Sequence, residues 1–294
     1  MRSLLFVPAD APSKLDKAPG CGADAIIVDL EDSVAPARKE AARLAAAEFL
    51  RESEARAASP RLLVRVNGLA SGLIDEDLDA VVPARPDAIM LPKAEGGASV
   101  IHADAKLTAL EALHGLPEGS IGIVAIATET AQALFLAGTY RGASARLSAL
   151  TWGAEDLSAE LGAEANRDHD GNFLDPYRLA RTLCLAAAAA AEVAAIDTVY
   201  VDFRNEAGLR RECEAARRDG FTGKMAIHPA QVATINDVFT PSPDAVAKAR
   251  AIIAAFAASP GAGVVGIDGV MYDRPHIARV ERLLARAKAA GVDG

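Results

Sequence analysis

The chain has 294 residues, of which 51% are hydrophobic and 24% are charged, and its formal net charge is −9. A chain this long and this apolar can bury a large core, which excludes an intrinsically disordered protein. The acidic balance argues against nucleic acid or an anionic membrane as the main partner, although local basic residues can still form a pocket for an anionic ligand.

The cysteines and the first residues indicate where the protein works. Cys21, Cys184 and Cys213 are far apart, and the sequence contains no CxxC pair. This usage argues against a disulfide framework or a thiolate zinc site and favours a reducing compartment, so we predict a cytoplasmic protein. The apolar start reaches Pro8 and Asp10 too soon for a signal peptide or a membrane span, and it predicts a buried first strand.

Short apolar runs alternate with helix-like segments over most of the chain. The predicted strands are SLLFVPA, ADAIIVDLED, RLLVRVNG, DAIMLPKA, IGIVAIATET, LSALTWGAED, IDTVYVDF and GKMAIHP. The predicted helices lie at about 36–53, 75–84, 98–113, 130–138, 175–194, 205–219 and 229–239. Eight strands that alternate with helices predict parallel pairing. The number favours a closed (β/α)₈ TIM barrel of the α/β class, with an open doubly wound sheet as the alternative.

The pattern changes after about residue 240. A helix beginning near TPSPDAV precedes a predicted hairpin at 264–272, which turns at Asp268-Gly269, and a charged helix follows. The segment from Gly261 to Gly266 matches GxGxxG but follows a helix and precedes a hairpin, so it predicts a turn and not a dinucleotide site. We therefore predict a barrel domain over 1–240 and a helix-hairpin-helix extension over 241–294. Because eight strands close without it, the extension is a candidate lid or subunit-exchange element.

Polar residues recur where the predicted strands end. They are Asp29, Glu31, Asp32, Arg65, Asn67, Lys93, Glu129, Glu155, Asp156, Asp202 and His228. Any one of them could be a helix N-cap or a solvated turn. In a parallel barrel, however, all these ends open on the face where barrel enzymes keep their chemistry. The set therefore favours a catalytic site at that face.

The acids provide the strongest chemical signal. Glu129 ends one strand and Asp156 follows the next, and adjacent strands lie ~5 Å apart, so both carboxylates could bind one divalent ion. Mg²⁺ prefers one or two carboxylates with water and substrate oxygens, and Mn²⁺ is an alternative. Glu31 and Asp32, after a third strand, could hold the waters of that ion.

Other residues near these strand ends fit an anionic substrate. Arg65 offers a planar fork to it. The amides that begin the helix after Gly153, at Ala154 and Glu155, could take a substrate carboxylate. The five histidines lack HExxH or paired metal spacing, and no GxSxG elbow exists, so zinc and serine-hydrolase chemistry have no support.

Seven short motifs, in order, resemble those of one known family. They are RSLLFVPA, DLEDSV, RVN, LPKAE, ETA, WGAEDL and GKMAIHPAQ. Over residues 1 to about 240 the chain resembles the HpcH/HpaI aldolase/citrate lyase superfamily, nearest its citrate lyase β-like branch with the malyl-CoA and citramalyl-CoA lyases. The resemblance implies a (β/α)₈ barrel, Mg²⁺ and CoA-thioester substrates.

The resemblance also implies roles for individual residues. It makes Glu129 and Asp156 the metal ligands and Arg65 the substrate-binding arginine. It places the acyl-CoA near four residues in three of the motifs: Phe6, Lys93, His228 and Pro229.

The C-terminal segment VMYDRPH resembles one that, in the CoA-lyase members, carries an aspartate into a neighbouring subunit's site. It implies Asp273 as the catalytic base and a homo-oligomer, a trimer or a hexamer. The shorter citrate lyase β subunits of the family lack this extension, so its presence favours a free-standing CoA-thioester enzyme.

The expected activity is therefore a Mg²⁺-dependent carbon–carbon lyase. It would reversibly split a malyl-CoA or citramalyl-CoA type substrate into acetyl-CoA and a 2-keto acid. The alternatives are a malyl-CoA thioesterase, a CoA-free pyruvate aldolase, a citrate lyase β subunit of an acyl-carrier complex, and a non-enzymatic binding protein. Glyoxylate and pyruvate differ by one methyl, a difference worth only ~1–3 kcal/mol in a pocket, so the sequence leaves the keto acid open.

Overall fold

A computed structural model describes residues 1–54 and 60–292 of the chain. It divides into two compact units, Met1–Ile235 and Asn236–Gly294. In the first unit, β1 to β8 pair in chain order, all parallel, and β8 returns to β1. The barrel strands are β1 Ser3–Pro8, β2 Ala25–Asp29, β3 Arg61–Arg65, β4 Ala88–Leu91, β5 Gly122–Ile126, β6 Leu147–Thr151, β7 Ala194–Asp197 and β8 Gly223–Ala226. This closure confirms the predicted TIM barrel and excludes the open sheet.

Helices follow the strands, as parallel pairing requires. Those that begin in the first unit are α1 Pro12–Lys17, α2 Lys39–Glu54, α3 Ile74–Val81, α4 Gly97–Leu113, α5 Ala131–Leu136, α6 Ala154–Leu161, α7 Asp175–Ala190, α8 Glu206–Asp219 and α9 Val232–Phe239. No helix within the described ranges is long and apolar enough to cross a membrane.

The strands are continuous apolar runs because both of their faces are buried. In β2, Ile27 joins the interior cluster with Leu63 and Met90, while the neighbouring Ile26 and Val28, on the opposite face, are also fully buried. Alternate residues point to opposite sides of a strand, so one set fills the barrel and the other packs outward beneath the helices. This two-sided burial explains why the sequence shows apolar runs and not alternation.

The register of the strands brings the polar residues together. Asp29 is opposite Arg65 in the β2–β3 ladder, and Ile126 is opposite Thr151 in the β5–β6 ladder. The residues that follow these pairs, including Glu129, therefore emerge side by side at the carboxyl ends of the strands.

The predicted position of the seventh strand was wrong. It was expected at 196–203, but β7 is Ala194–Asp197 and the chain then leaves the sheet. The alanine-rich end of α7 gave no signal for the boundary, because Glu192 takes the left-handed conformation (φ 60°) that usually marks a glycine. As a result Asp202, expected at a strand end, is an exposed loop residue, and the buried strand-end acid is Asp197.

The second unit has the predicted order of elements. It contains α10 Pro243–Ala258, β9 Val264–Ile267, β10 Val270–Asp273 and α11 Arg274–Ala289. The hairpin turns at Asp268 and Gly269, with φ of 49° and 75°, as its two-residue turn requires. Its own small core includes Ile252, Val265 and Tyr272. The reach of this unit into a neighbouring subunit stays a prediction.

Candidate active site

A cavity of about 320 Å³ opens at the carboxyl ends of the barrel strands. Nine of the predicted residues line it: Phe6, Asp29, Asp32, Arg65, Glu129, Gly153, Ala154, Glu155 and Asp156. The apolar part of the wall includes Ile126, Trp152 and Met225. The structure therefore gathers acids, a guanidinium and an aromatic ring around one space, as the strand-end pattern predicted.

The carboxylate of Glu129 is held by a backbone hydrogen bond and fits beside Gly153, which has no side chain. Glu129 is 3% exposed, and its Oε2 accepts a hydrogen bond of 2.5 Å from the backbone N–H of Lys93. Lys93 has φ 52°, a left-handed conformation that is uncommon for a residue with a side chain. A Cβ on Gly153 would lie 2.7 Å from Glu129 Cγ. The site thus needs glycine at 153 to leave room for the carboxylate.

The electrostatics of Glu129 indicate an excess of negative charge. Burial is the largest cause that raises its pKa, and the nearby carboxylates of Asp156 and Glu31 raise it further. The amide of Lys93 opposes them, but the resulting pKa is about 8. Ionisation of the Glu129 carboxyl is unfavourable in these surroundings, and a bound cation would make it favourable.

Lys93 partly neutralises the acids around Glu129. Its Nζ lies 2.5 Å from Glu31 Oε1, 3.1 Å from Asp156 Oδ1 and 3.4 Å from Asp32 Oδ2. Burial lowers the pKa of Lys93, but the hydrogen bond to Glu31 and the surrounding negative charges outweigh burial and raise it overall. The ammonium therefore stays charged and links acids that follow two strands, β2 and β6.

Arg65 is oriented before any ligand binds. Its Nε and one terminal nitrogen donate to the two oxygens of Asp29, at 2.7 and 2.6 Å, and its other terminal nitrogen lies 2.9 Å from Glu31 Oε2. Its guanidinium carbon lies 4.8 Å from the centroid of the Phe6 ring. Burial alone would raise the pKa of Asp29, but the hydrogen bonds from Arg65 lower it, so both groups are ionised.

The two acids of the WGAEDL motif begin a helix. Glu155 and Asp156 lie in the first turn of α6, where Gly153 is the N-cap. The positive end of the helix dipole favours carboxylates there. Glu155 accepts a hydrogen bond of 2.8 Å from Asn166 and faces the cavity rim, whereas Asp156 contacts Lys93.

The donor set fits Mg²⁺. Glu129 and Asp156 both line the cavity, and the amide of Lys93 engages only one oxygen of Glu129. Among the residues that the structure describes, no group of three or more His, Cys, Asp or Glu side chains could hold a metal ion. Mg²⁺ binds through one or two carboxylates and retains its waters, so a two-carboxylate site is compatible with it.

Some predicted residues lie elsewhere. His228 and Pro229 are not part of the cavity wall; the His228 ring stacks on Phe203 at 4.4 Å, and its Nδ1 accepts from the amide of Ala230. Asp273 belongs to the second unit, where it caps α11 and lies 2.5 Å from Nδ1 of His276. Their roles in CoA binding and proton transfer stay predictions.

Lys39 was not predicted from the sequence, and it supports the loop that carries Glu31. Its Nζ donates to the carbonyls of Leu30 and Glu31 and to Asn67 Oδ1, at 2.6, 2.7 and 2.9 Å. It therefore fixes the loop that carries Glu31. Its position at the start of α2 gives no sequence signal, because lysines are common on helix surfaces. Asn67, expected at the site, is instead buried and hydrogen-bonded to Asp77.

Comparison with known proteins identifies relatives over the whole chain. The family model for HpcH/HpaI aldolase/citrate lyase matches residues 2–229. A (3S)-malyl-CoA thioesterase of Cereibacter sphaeroides is 38% identical, with 98% of this chain and 95% of the relative covered. The mitochondrial citramalyl-CoA lyase of Rattus norvegicus is 33% identical, with 97% and 86% covered.

A solved structure supports both the fold and the chemistry. CitE of Mycobacterium tuberculosis in complex with magnesium, acetoacetate and coenzyme A superposes with a TM-score of 0.79 at 33% identity, and 98% of each chain is covered. The magnesium and coenzyme A of the predicted chemistry are thus bound by a relative of the same fold.

The C-terminal extension does not separate this chain from citrate lyase β subunits, so this prediction from the sequence is wrong. The citrate lyase subunit beta of Leuconostoc mesenteroides subsp. cremoris is 35% identical, and 98% of this chain and 93% of that one are covered. The extension is therefore shared, and its presence does not distinguish the two classes.

The seven motifs lie on strands of one barrel and on the loops and helix starts that follow them, and the comparisons agree with them. They confirm the predicted class of enzyme, a magnesium-dependent CoA-ester lyase of citrate lyase β type, at the level of the family. This chain belongs to the HpcH/HpaI aldolase/citrate lyase family.

Proposed function

We propose that the chain is a Mg²⁺-dependent lyase that reversibly cleaves a 3-hydroxyacyl-CoA of the malyl-CoA or citramalyl-CoA type into acetyl-CoA and glyoxylate or pyruvate. One observation carries the proposal. A pair of carboxylates in a site with surplus negative charge, Glu129 and Asp156, lines the same cavity as the oriented guanidinium of Arg65. A metal ion bound by the two carboxylates and the guanidinium of Arg65 would together suit a substrate that carries oxygen atoms at both ends.

Related proteins support this assignment. A citramalyl-CoA lyase and a malyl-CoA thioesterase are both relatives of the chain over nearly its whole length. Coenzyme A, magnesium and a keto acid occur together in the related M. tuberculosis complex.

Each residue of the cavity would have a defined task. Bound through Glu129 and Asp156, Mg²⁺ would supply Lewis-acid polarisation of the keto-acid oxygens. Arg65 would donate hydrogen bonds to the thioester oxygen as it gains negative charge in the enolate. The unsatisfied amides at the start of α6, at Ala154 and Glu155, would orient the substrate carboxylate.

The remaining residues would keep this geometry fixed. Asp29 and Glu31 hold the guanidinium of Arg65, so little reorganisation is needed when charge develops. The rings of Phe6 and Trp152 line the cavity and would exclude water from the reacting carbons.

We further propose that Asp273 is the base that removes the proton from the acetyl methyl group. It would act in a neighbouring subunit of a homo-oligomer, a trimer or a hexamer. Support comes from the VMYDRPH motif and from a carboxylate whose side chain is 53% exposed, so that it is open to a substrate. Asp273→Asn should lower kcat strongly and leave Mg²⁺ affinity intact; unchanged turnover would remove it as the base.

Product analysis tests the function. The purified chain is incubated with malyl-CoA or citramalyl-CoA and Mg²⁺, with and without EDTA, and its products are separated. The proposal predicts metal-dependent acetyl-CoA together with glyoxylate or pyruvate, and the keto acid identifies the substrate. Release of free CoA with intact malate or citramalate would contradict a lyase.

A thioesterase is the second candidate, and its specific support is the 38% identical malyl-CoA thioesterase. The same metal site could direct water at the thioester carbonyl. Free CoA in the experiment above would establish it. No turnover of either substrate by the isolated chain would favour a subunit of an acyl-carrier complex.

A further inference from the structure

An arginine-rich groove lies apart from the active cavity. It has a volume of about 650 Å³ and runs between the connection from α6 to α7, the loop after β7, and α8. The two spaces share no lining residue. The arginines of the groove are Arg167, Arg178, Arg181, Arg211 and Arg218, and its acids are Asp168, Asp170 and Glu212. Such an excess of guanidinium groups stands out in a chain of net charge −9, and the proposed reaction uses none of them.

Two of these arginines build the wall of the groove. Arg167 donates to Glu212, at 2.9 Å, and its guanidinium carbon lies 3.6 Å from the centroid of the Phe173 ring. Arg181 pairs with Asp197 at 3.3 Å and with Asp219 at 2.7 Å. These contacts hold both guanidinium groups in fixed positions, so they shape the groove, while their charge is largely balanced by the paired acids.

Two other arginines have no such partners. The side chains of Arg211 and Arg218 make no hydrogen bond or ion pair with any residue in the ranges 1–54 and 60–292. They lie seven residues apart on α8, about 10.5 Å along the axis and on the same face. Ala215 lines the groove between them. Their side chains are exposed and can extend over the space.

Two of the three acids of the groove, Glu212 and Asp168, are already engaged. Glu212 accepts from Lys224 at 2.7 Å as well as from Arg167. Asp168 accepts from the backbone amides of Asp170 and Asn172, each at 2.9 Å. They therefore cannot turn to neutralise Arg211 and Arg218 without breaking these bonds.

The far wall of the groove is rigid. The hydroxyl of Tyr200 lies so close to Gly208 of α8 that a Cβ there would overlap it. Asn205 caps α8 by accepting from the amide of Gly208 at 2.9 Å, which leaves its side-chain NH₂ as a donor beside the groove. Because this wall is already ordered, less conformational entropy is lost when a ligand binds.

We propose that this groove binds a small phosphate-bearing anion with at least two negative charges. Arginine forks match phosphate oxygens bidentately, and two unpaired forks on one helix face can bind two anionic groups or converge on one. The site is also connected to the active cavity, since Phe173 meets Trp152 edge-on at 4.9 Å between ring centroids. An anion there would contact the wall against which the substrate lies.

Calorimetric titration of the full chain with inorganic pyrophosphate tests the site. EDTA is present, so that no metal complex forms at the active cavity, and ionic strength is held constant with chloride. The unmodified chain should bind one pyrophosphate. Arg211→Gln and Arg218→Gln should each weaken binding about tenfold, as expected for loss of a charge-assisted contact, and the double variant should abolish it.

Arg217→Gln is the matched control, because it removes the same charge from the same helix, next to Arg218, outside the groove. It should leave the affinity within about twofold. Equal weakening in Arg217→Gln would indicate general charge attraction and overturn the proposal. The absence of pyrophosphate binding would also overturn the proposal. Binding that persists in the double variant would overturn it as well, because the anion would then bind elsewhere. The measurement requires no turnover, so its outcome is independent of the proposed lyase function.

Discussion

Two buried charge clusters follow strands of the same barrel, and their electrostatics are opposite. At the active cavity, Glu129 has its pKa raised to about 8 by burial and by neighbouring carboxylates. At the end of β7, Asp197 is also fully buried, and burial alone would raise its pKa. There, however, Lys224, Arg181 and the indole N–H of Trp152 outweigh burial and lower the pKa of Asp197.

The difference separates a structural cluster from a functional one. Asp197 accepts from Lys224 at 3.0 Å and from Trp152 at 2.8 Å, so its charge is satisfied within the protein. Glu129 accepts one hydrogen bond, from the backbone amide of Lys93. Its other charged neighbours are carboxylates and the Lys93 ammonium, which also pairs with Asp156. A buried acid whose charge the protein itself does not balance implies a cation from outside, whereas a balanced acid supports the fold.

The largest expected effect comes from breaking the balanced cluster. Lys224→Met should lower the free energy of unfolding by about 3–5 kcal/mol, because it leaves Asp197 and Glu212 buried with less positive charge. Urea unfolding followed by the fluorescence of Trp152, the single tryptophan, reports on the barrel directly. Lys106→Met is the control, since the partner of Lys106 among the described residues is the exposed Asp75; that change should cost under ~1 kcal/mol. Equal losses would contradict the comparison.

Glu129→Gln should instead impair metal binding and turnover without lowering stability. We expect Mg²⁺ affinity and turnover to fall by about 100-fold, since a charged ligand is lost. The free energy of unfolding in EDTA should not fall, because the change removes surplus negative charge and retains an acceptor for the Lys93 amide. Calorimetric Mg²⁺ titration and urea unfolding measure the two quantities. A destabilised metal-free variant would show that Glu129 is structural.

Gly153→Ala should weaken Mg²⁺ binding about tenfold while the barrel stays folded. The added Cβ would lie 2.9 Å from Glu129 Oε1 and displace the carboxylate. Gly138→Ala is a matched control, because no atom of the described residues, apart from its chain neighbours, lies within 4 Å of its added Cβ. Mg²⁺ affinity unchanged in both variants would mean that Glu129 does not hold the metal in this position.

The remaining prediction concerns the pH dependence of stability. The folded pKa of Glu129, about 8, lies above the ordinary value of 4.5. Between these values the folded state retains a proton that the unfolded state has lost, so stability falls as pH rises from about 4.5 to 8. In EDTA, the unfolding free energy of the unmodified chain should drop more over this window than that of Glu129→Gln, by about 1.4 kcal/mol for each unit by which the folded pKa exceeds the unfolded one. Parallel pH profiles would refute the raised pKa.

Patterns of local sequence predicted much of the site. Strand ends were readable because two-sided burial leaves apolar runs that stop abruptly, as at Ile126 before Glu129. The acids after β5 and β6 could be placed together because consecutive parallel strands are neighbours. The boundary of β7 could not be read, since alanines suit the end of a helix and the start of a buried strand equally well, and Glu192 replaced the usual glycine.

The sequence by itself determined the barrel, the hairpin and the face on which the polar residues gather, because these depend on periodicity and chain order. Only the tertiary structure decided which charges are balanced. Lys39 reaches Glu31 and Asn67, and Lys224 reaches Asp197 and Glu212, across distances that no local pattern encodes. Whether a buried carboxylate stabilises the fold or needs a cation depends on these long-range partners, since the cost of burial is similar for both.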